Sequence, residues 1–188
     1  SLLTIALLSL GACAAPPAPA AGSAAPPAPP APPAGNKAAT NGVGSTPAQR
    51  HVISVSQAEE IIAAAVKEAN TVIPENIAIV DPSGMLVAFH RMDNAFPGSI
   101  DISIKKARTT VLFNGAYSTA DLTAAAQGPL YGVEETNGGL VVFGGGLPLY
   151  KNDYLIGGIG VSGGSVDQDV QVVKAAVAWF SNTTLAAY

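Results

Sequence analysis

Cysteine and charge are both scarce in this chain. Its single cysteine, Cys13, lies near the start, so the remaining residues cannot form a disulfide framework. Only 12% of the 188 residues are charged, and the acidic residues outnumber Lys and Arg by 13 to 9. A protein that binds nucleic acid would instead concentrate Lys and Arg in a patch. The composition therefore disfavours nucleic-acid binding.

Sequence motifs of well-known catalytic sites are also missing. The chain has no Ser/His/Asp order typical of a hydrolase, no His/Cys spacing typical of a metal site and no Walker sequence. Glu134 and Glu135 are adjacent, so in an extended segment they would point to opposite faces and would not act as a carboxylate pair. We therefore assign no catalytic residue and favour a binding protein over an enzyme.

The first 49 residues differ in composition from the rest, because they hold 10 of the 15 prolines and one charged residue, Lys37. Leu2–Leu10 is an apolar run that is too short to span a bilayer and long enough for the hydrophobic part of a signal peptide. Leu10-Gly11-Ala12-Cys13 follows and resembles a bacterial lipobox, in which the cysteine is lipidated and becomes the mature N-terminus. A plain secretory signal with an incidental cysteine is the alternative.

These features divide the chain into three predicted parts. Residues 1–13 are a lipoprotein signal peptide, which we expect to be truncated at the front because no initiator Met or basic region precedes the apolar run. Residues 14–49 are a Pro/Ala-rich disordered tether with a polyproline tendency, and residues 50–188 are one domain. Ala14 follows the cysteine, which by analogy with enteric sorting favours the outer membrane. We predict a lipid-anchored protein of the cell envelope, located in the outer membrane and periplasm or at the cell surface.

Residues 50–188 carry the patterns of an α+β fold. Hydrophobic periodicity predicts the order α-β-β-α-α-β-β-β-α, and hairpin-connected strands between helices indicate a mostly antiparallel sheet. We expect Ser56 with Glu59 to cap the first helix, Ser99 to cap the second, and Ser165 with Gln168 to cap the last. The predicted strands are residues 77–80, 85–89, 140–143, 147–151 and 154–161, and a short helix is predicted at 120–126. Two helices have a predicted buried stripe: Ile100, Ile104, Ala107 and Val111 on the second helix, and Val166, Val170, Val173, Val177 and Phe180 on the last.

Gly158–Gly163 reads G-x-G-x-x-G, the fingerprint of a dinucleotide-binding turn. Such a fold needs further β-α units and an acidic residue about 20 positions downstream. No acidic residue follows Asp169, and Asp167 and Asp169 open the next helix, where they would repel a pyrophosphate. We interpret the pattern as a last strand that turns into a capped helix.

Several motifs in residues 91–169 occur together in an order and spacing that resemble one known family. They are Arg91–Ala95, Ser99–Ser103 with Lys106-Ala107, Leu130–Gly132, Phe143–Pro148, and Ile159–Gly164 with Gln168-Asp169. The domain resembles the GlcG/HbpS family of haem-binding proteins, and within it the C-terminal domain of PduO-type proteins, over about residues 52–180. The matched motif positions are Arg91, Asp93, Asp101, Lys106, Gly144, Gly145, Gly146, Pro148, Gly160, Gly163 and Asp169.

The resemblance implies a fold, a ligand and an assembly. The fold would be a five-stranded antiparallel sheet flanked by helices, of the GlcG-like or profilin-like type, and the assembly a homo-oligomer. Known functions in the family include haem binding, extracellular haem or redox sensing, and corrinoid-associated metabolism. We predict an extracytoplasmic, lipid-anchored protein that binds haem or a related tetrapyrrole. Two alternatives stay open: an enzyme or accessory protein that acts on a small metabolite at the glycine-rich turns, and a structural surface oligomer without a ligand.

If haem is the ligand, its iron needs an axial donor, normally His, Met, Cys or Tyr. Since Cys13 is assigned to lipidation, His51 and His90 are the first candidates for binding iron. His51 lies at the start of the domain, where the tether ends. His90 ends the second predicted strand, where it could instead be a buried core histidine.

The cations available to pair with haem propionates are Arg91, Lys105 and Lys106, together with Arg108. Arg91 could instead form a salt bridge with Asp93 on a shared strand face. For Lys106, a ligand site, a subunit contact and a structural role all remain open. Asp101 suits the first turn of its helix through the dipole alone. Gly144–Gly146 indicates either a turn with close backbone approach or a small-ligand pocket.

Overall fold

The computed structural model describes residues 50–183, so the predicted signal peptide, Cys13 and the tether lie outside the described residues. Within that range no helix is long and apolar enough to cross a membrane. The helices are α1 (Val55–Ala69), α2 (Ser99–Leu112), α3 (Asp121–Ala126) and α4 (Val166–Asn182), and the strands are β1 (Asn76–Val80), β2 (Leu86–Arg91), β3 (Gly146–Lys151) and β4 (Tyr154–Ser162).

One antiparallel sheet with the strand order β2-β1-β4-β3 organises the domain. Every residue of β1 is buried, because helices cover both faces of this central strand. Ile77 and Ile79 belong to the main core, which the apolar faces of α1 and α4 complete. Ala78 and Val80 point to the opposite face and pack with Ala107 and Val111 of α2. The prediction of an α+β fold with an antiparallel sheet is confirmed.

The sheet has four strands in the described residues, so the prediction of five was wrong. Leu140 and Val141 are buried, as expected, but they lie in a loop. The Val141 amide donates to Thr109 Oγ1 on α2, and the Leu140 amide donates to the Glu134 carbonyl oxygen. These bonds satisfy the backbone amides of the segment without a neighbouring strand. The apolar run therefore reflects the burial of its side chains and not membership of the sheet.

Two of the three predicted caps also differ from the structure. α1 begins one half-turn earlier than expected, and its capping box is formed by Ser54 with Gln57. Ser99 is the first residue of α2 and makes no side-chain cap; its own amide donates to the carbonyl oxygen of Phe96 in the preceding turn. The predicted box of Ser165 with Gln168 at the start of α4 is confirmed.

The buried face of α2 is more polar than its hydrophobic pattern predicts. Ile100 and Ile104 are half-buried, whereas Ser103, Lys106 and Thr110 are fully buried. The cause is Gly160 of β4, where a Cβ atom would overlap the carbonyl oxygen of Ser103, so the helix backbone lies almost directly on the strand. On α4 the buried residues are Asp169, Val172, Val173, Ala176 and Phe180, while the expected Val166 is exposed.

Close packing of this kind explains the G-x-G-x-x-G pattern. At Gly158 a Cβ atom would overlap Thr110 Oγ1, and at Gly163 it would lie 2.5 Å from Glu75 Oε2. The glycines therefore let helix and strand approach, and the segment runs from β4 through a turn into the capped helix α4, as interpreted from the sequence.

Candidate functional site

An open groove lies between α1 and the edge strand β2. It has a volume of about 660 Å³. The helix contributes apolar residues and one carboxylate, and the strand contributes three apolar residues and one imidazole. The lining residues are Val55, Glu59, Ile62, Ala63 and Val66 on α1, and Val87, Ala88, Phe89 and His90 on β2.

His90 stands at one end of this groove. It pairs with Ile77 across the β1–β2 ladder, and paired residues point to the same face, so its side chain lies on the side of the sheet that α1 covers. The residue is nevertheless exposed. The interpretation of His90 as a buried core histidine is therefore wrong, and its imidazole is accessible to a ligand in the groove.

The second candidate, His51, lies far from His90. Its ring stacks on Tyr154 at a centroid distance of 3.7 Å and an interplanar angle of 10°. His90 and Val161 both pair with Ile77, so they lie at the same height along the sheet. Val161 is seven residues from Tyr154 along β4, which corresponds to about 23 Å at the usual strand rise. The two histidines of one protomer therefore cannot bind the same iron.

A second polar centre is buried between α2, β4 and α4. Lys106 is fully buried, and its Nζ donates to Asp169 Oδ2 at 2.5 Å and to the Val161 carbonyl oxygen at 2.9 Å. The other oxygen of Asp169 accepts hydrogen bonds from the amides of Gly163 and Gly164. Because Lys106 is enclosed and already paired, it is not available to a propionate, and its role in this protomer is structural.

Glu75 is the unexpected member of this buried centre. It is 0% exposed, and neither carboxylate oxygen meets a hydrogen-bond donor among the described residues. Burial, reinforced by the nearby charge of Asp169, raises the pKa of Glu75 to about 8, against the opposing effect of Lys106. Such a shift favours the protonated, neutral form of the Glu75 carboxyl group in the folded protein. Burial also lowers the pKa of Lys106, while its pairing with Asp169 acts in the opposite direction.

Sequence reasoning missed Glu75 because the residue belongs to none of the matched motifs. One signal was present: Glu75 directly precedes the strand β1, in which every residue is buried. An acidic side chain next to a fully buried strand has little access to water and needs a partner inside the protein.

The glycine-rich turn Gly144–Gly146 closes over this buried centre. Gly145 has a φ of +118°, and a Cβ atom there would lie 2.6 Å from Lys106 Nζ. At Gly146 a Cβ atom would lie 2.7 Å from the Lys106 carbonyl oxygen, and the ring of Phe143 has its centroid 4.8 Å from Lys106 Nζ. The protein's own atoms fill the space beside these glycines. The turn therefore serves close packing, and the structure gives no support to a small-ligand pocket there.

The other predicted site residues lie on the surface or in the sheet. Arg91 donates to the carbonyl oxygen of Ala95 at 3.2 Å and forms no ion pair with Asp93 within residues 50–183. Lys105 and Asp101 form an exposed ion pair of 2.9 Å one helical turn apart. Pro148 lies in β3 opposite Gly158. Among the described residues no group of three or more His, Cys, Asp and Glu side chains could hold a metal ion.

Comparison with known proteins places this domain in a family. Residues 53–178 match a family model described as "Haem degrading protein HbpS-like". The chain belongs to the HbpS-like family. It is 38% identical over 130 residues to the corrinoid adenosyltransferase PduO of Citrobacter freundii, a match that covers 67% of this chain and 38% of PduO. The chain thus corresponds to well under half of that relative.

Solved structures of relatives share the fold. The Klebsiella pneumoniae protein ORFY is 37% identical with a TM-score of 0.65, covering 70% of this chain and 92% of ORFY. A PduOC:heme complex is 36% identical with a TM-score of 0.63, covering 68% of this chain and 94% of PduOC. HbpS is 27% identical with a TM-score of 0.62, covering 74% of this chain and 94% of HbpS. Haem-related binding is therefore established among the relatives of this HbpS-like chain.

Proposed function

We propose that this HbpS-like domain binds haem or a related tetrapyrrole in the groove between α1 and β2. The observation that carries the proposal is the exposed imidazole of His90 at the end of an apolar groove. A tetrapyrrole has large apolar faces and a central metal ion, and neutral imidazole is among the commonest axial ligands of haem iron. The groove volume of about 660 Å³ is of the size expected for a small-molecule site.

The residues present fit this ligand. Val66, Val87 and Ala88 offer apolar contact to the faces of the macrocycle, and His90 would hold the iron. Of the other predicted cofactor residues, Lys106 is enclosed in the buried centre, and Lys105 is paired with Asp101 on α2. When bound, haem would supply a redox-active iron. The chain would supply the apolar contacts and the axial nitrogen.

Haemin titration of the full chain tests the proposal, with the two histidines as a matched pair. We expect a saturable Soret shift that His90→Ala abolishes or weakens strongly and that His51→Ala leaves unchanged. The two substitutions remove the same exposed side chain from opposite ends of the sheet. No saturable change with the unmodified chain would refute haem binding and favour the two alternatives, a protein acting on a small metabolite and a structural oligomer. Loss of the shift in His51→Ala alone would refute the assignment to the groove.

We also propose that the protein acts outside the cytoplasm, anchored by a lipid on Cys13, and that it assembles as a homo-oligomer. The apolar run, the small residues before Cys13 and the Pro/Ala-rich segment after it support the anchor. The free edge of β2 and the exposed Leu86 at its start offer one surface for assembly.

Two measurements test these features. Incorporation of a fatty-acid analogue in native cells should be lost with Cys13→Ser, and the protein should then leave the membrane fraction. An unlabelled wild-type protein would contradict the lipid anchor. Sedimentation of the purified domain should give a mass above that of one chain, and a monomer at high concentration would contradict assembly.

A further inference from the structure

The two ends of the α1–β2 groove differ in charge. Glu59 lies in the first half of α1 and lines the groove directly. Lys67 lies in the last turn of α1 and is exposed. It directly follows the groove residue Val66, and it lies four positions, or about one helical turn, after the groove residue Ala63. Residues four apart share a helix face, so Lys67 lies one turn beyond the groove residue Ala63 on the same side of α1.

The topology places His90 and the last turn of α1 at the same end of the groove. α1 ends at Ala69, and the chain then enters β1 at Asn76, which pairs with Arg91 at the end of β2. The last turn of α1 therefore lies at the end of β2 that carries His90. Lys67 and His90 mark one end of the groove, and Glu59 lies about 12 Å away along the helix axis, at eight residues of helical rise.

Lys67 also lacks a partner of its own. It takes part in no hydrogen bond or ion pair with the other residues of the range 50–183, whereas the neighbouring Glu68 accepts a hydrogen bond from Gln171 of α4 at 2.8 Å. An ammonium group that is exposed and unpaired beside an apolar groove can pair with an anion on a bound ligand. Glu59 would repel the same anion at the opposite end.

We propose that Lys67 and Glu59 set the orientation and the specificity of the groove, so that it selects a tetrapyrrole with free carboxylates along one edge and holds that edge at the Lys67 end. This inference rests on the proposed binding of a tetrapyrrole. It adds a requirement that His90 alone does not impose, because axial ligation depends on the metal and not on the substituents of the macrocycle. A macrocycle without free carboxylates would bind through His90 and the apolar walls only.

Affinity for two ligands measures this requirement in the full chain. Haemin carries two free propionates, and haemin dimethyl ester carries the same metal and ring without those charges. We expect Lys67→Glu to weaken haemin binding about five- to thirty-fold, because it removes one solvent-exposed ionic contact and introduces a repulsion of similar size, and to leave the dimethyl ester within about two-fold. Glu59→Gln should strengthen haemin binding slightly and leave the ester unchanged.

Lys174→Glu is the matched control. Lys174 is an exposed lysine on α4 outside the groove, and its reversal changes the net charge of the chain by the same amount. Equal weakening by Lys67→Glu and Lys174→Glu would attribute the effect to overall charge and overturn the inference. So would equal weakening of haemin and its ester by Lys67→Glu. If the unmodified chain binds neither ligand, the proposed function itself fails. If haemin binds saturably and Lys67→Glu does not change its affinity, only the proposed role of Lys67 in orienting the ligand is overturned.

Discussion

Replacement of Glu75 by Gln tests how strongly the buried centre depends on one proton. In the folded protein the pKa of Glu75 rises from its ordinary value of 4.5 to about 8, mainly through burial and then through Asp169. The folded state therefore holds this proton more tightly than the unfolded state. The associated stabilisation is fully present below about pH 4.5, and it is lost as the pH rises through about 8.

The size of the effect follows from the shift. Each pKa unit corresponds to about 1.4 kcal/mol, so a shift from 4.5 to about 8 corresponds to a loss on the order of 3–5 kcal/mol between acidic and mildly alkaline pH. Gln cannot ionise, and it has nearly the same size and shape as the protonated carboxyl group of Glu75. The Glu75→Gln protein should therefore keep its stability over the pH range in which the unmodified protein loses it.

Urea unfolding followed by the fluorescence of Trp179, the single tryptophan, measures the difference. We expect the free energies of unfolding to be similar at about pH 4 and to diverge in favour of Glu75→Gln by about pH 8.5, by the amount given above. Glu60→Gln, at an exposed position of α1, should follow the unmodified protein at every pH. Parallel pH profiles for Glu75→Gln and the unmodified protein would refute the buried, protonated state of Glu75.

Two further substitutions test the packing around the same centre by urea unfolding at neutral pH. Lys106→Met leaves Asp169 buried without its cation and should cost about 3–5 kcal/mol, whereas Lys174→Met on the surface should cost almost nothing; equal costs would contradict the buried pair. Gly145→Ala should cost about 1–3 kcal/mol, because it places a Cβ atom at positive φ against Lys106 Nζ. Gly98→Ala is its control, since nothing lies within 4 Å of a Cβ there, and a comparable loss would contradict this explanation.

Local patterns predicted most elements of the fold because their causes are local. The hairpin between β3 and β4, the helix α3 and the Ser165 cap depend on turn and capping residues a few positions apart, and each appears in the structure. The predicted strand at 140–143 failed because an apolar run shows only that side chains are buried. The run does not show which partner its backbone amides will have. The Val141 amide donates to Thr109, a residue more than 30 positions away, and not to a neighbouring strand.

The polar centre could not be predicted for a similar reason. Lys105 and Lys106 are adjacent, and nothing in their spacing shows that one is exposed and paired with Asp101 while the other is fully enclosed. The difference arises where α2 meets the glycines of β4, a contact between distant segments. The same holds for His90, whose accessibility depends on how α1 covers the edge strand.

The neighbouring lysines Lys105 and Lys106 differ in exposure, and this difference can be used to measure how often the domain opens. Both side chains belong to one short stretch of α2, but the Lys105 side chain is 33% exposed and that of Lys106 is 0% exposed. An amine-reactive reagent should acylate Lys105 in the native protein and reach Lys106 only when α2 separates from β4. Within a single proteolytic peptide, the ratio of the two modifications measured by mass spectrometry would then report how often the core exchanges with an open form, with Lys105 as the internal standard.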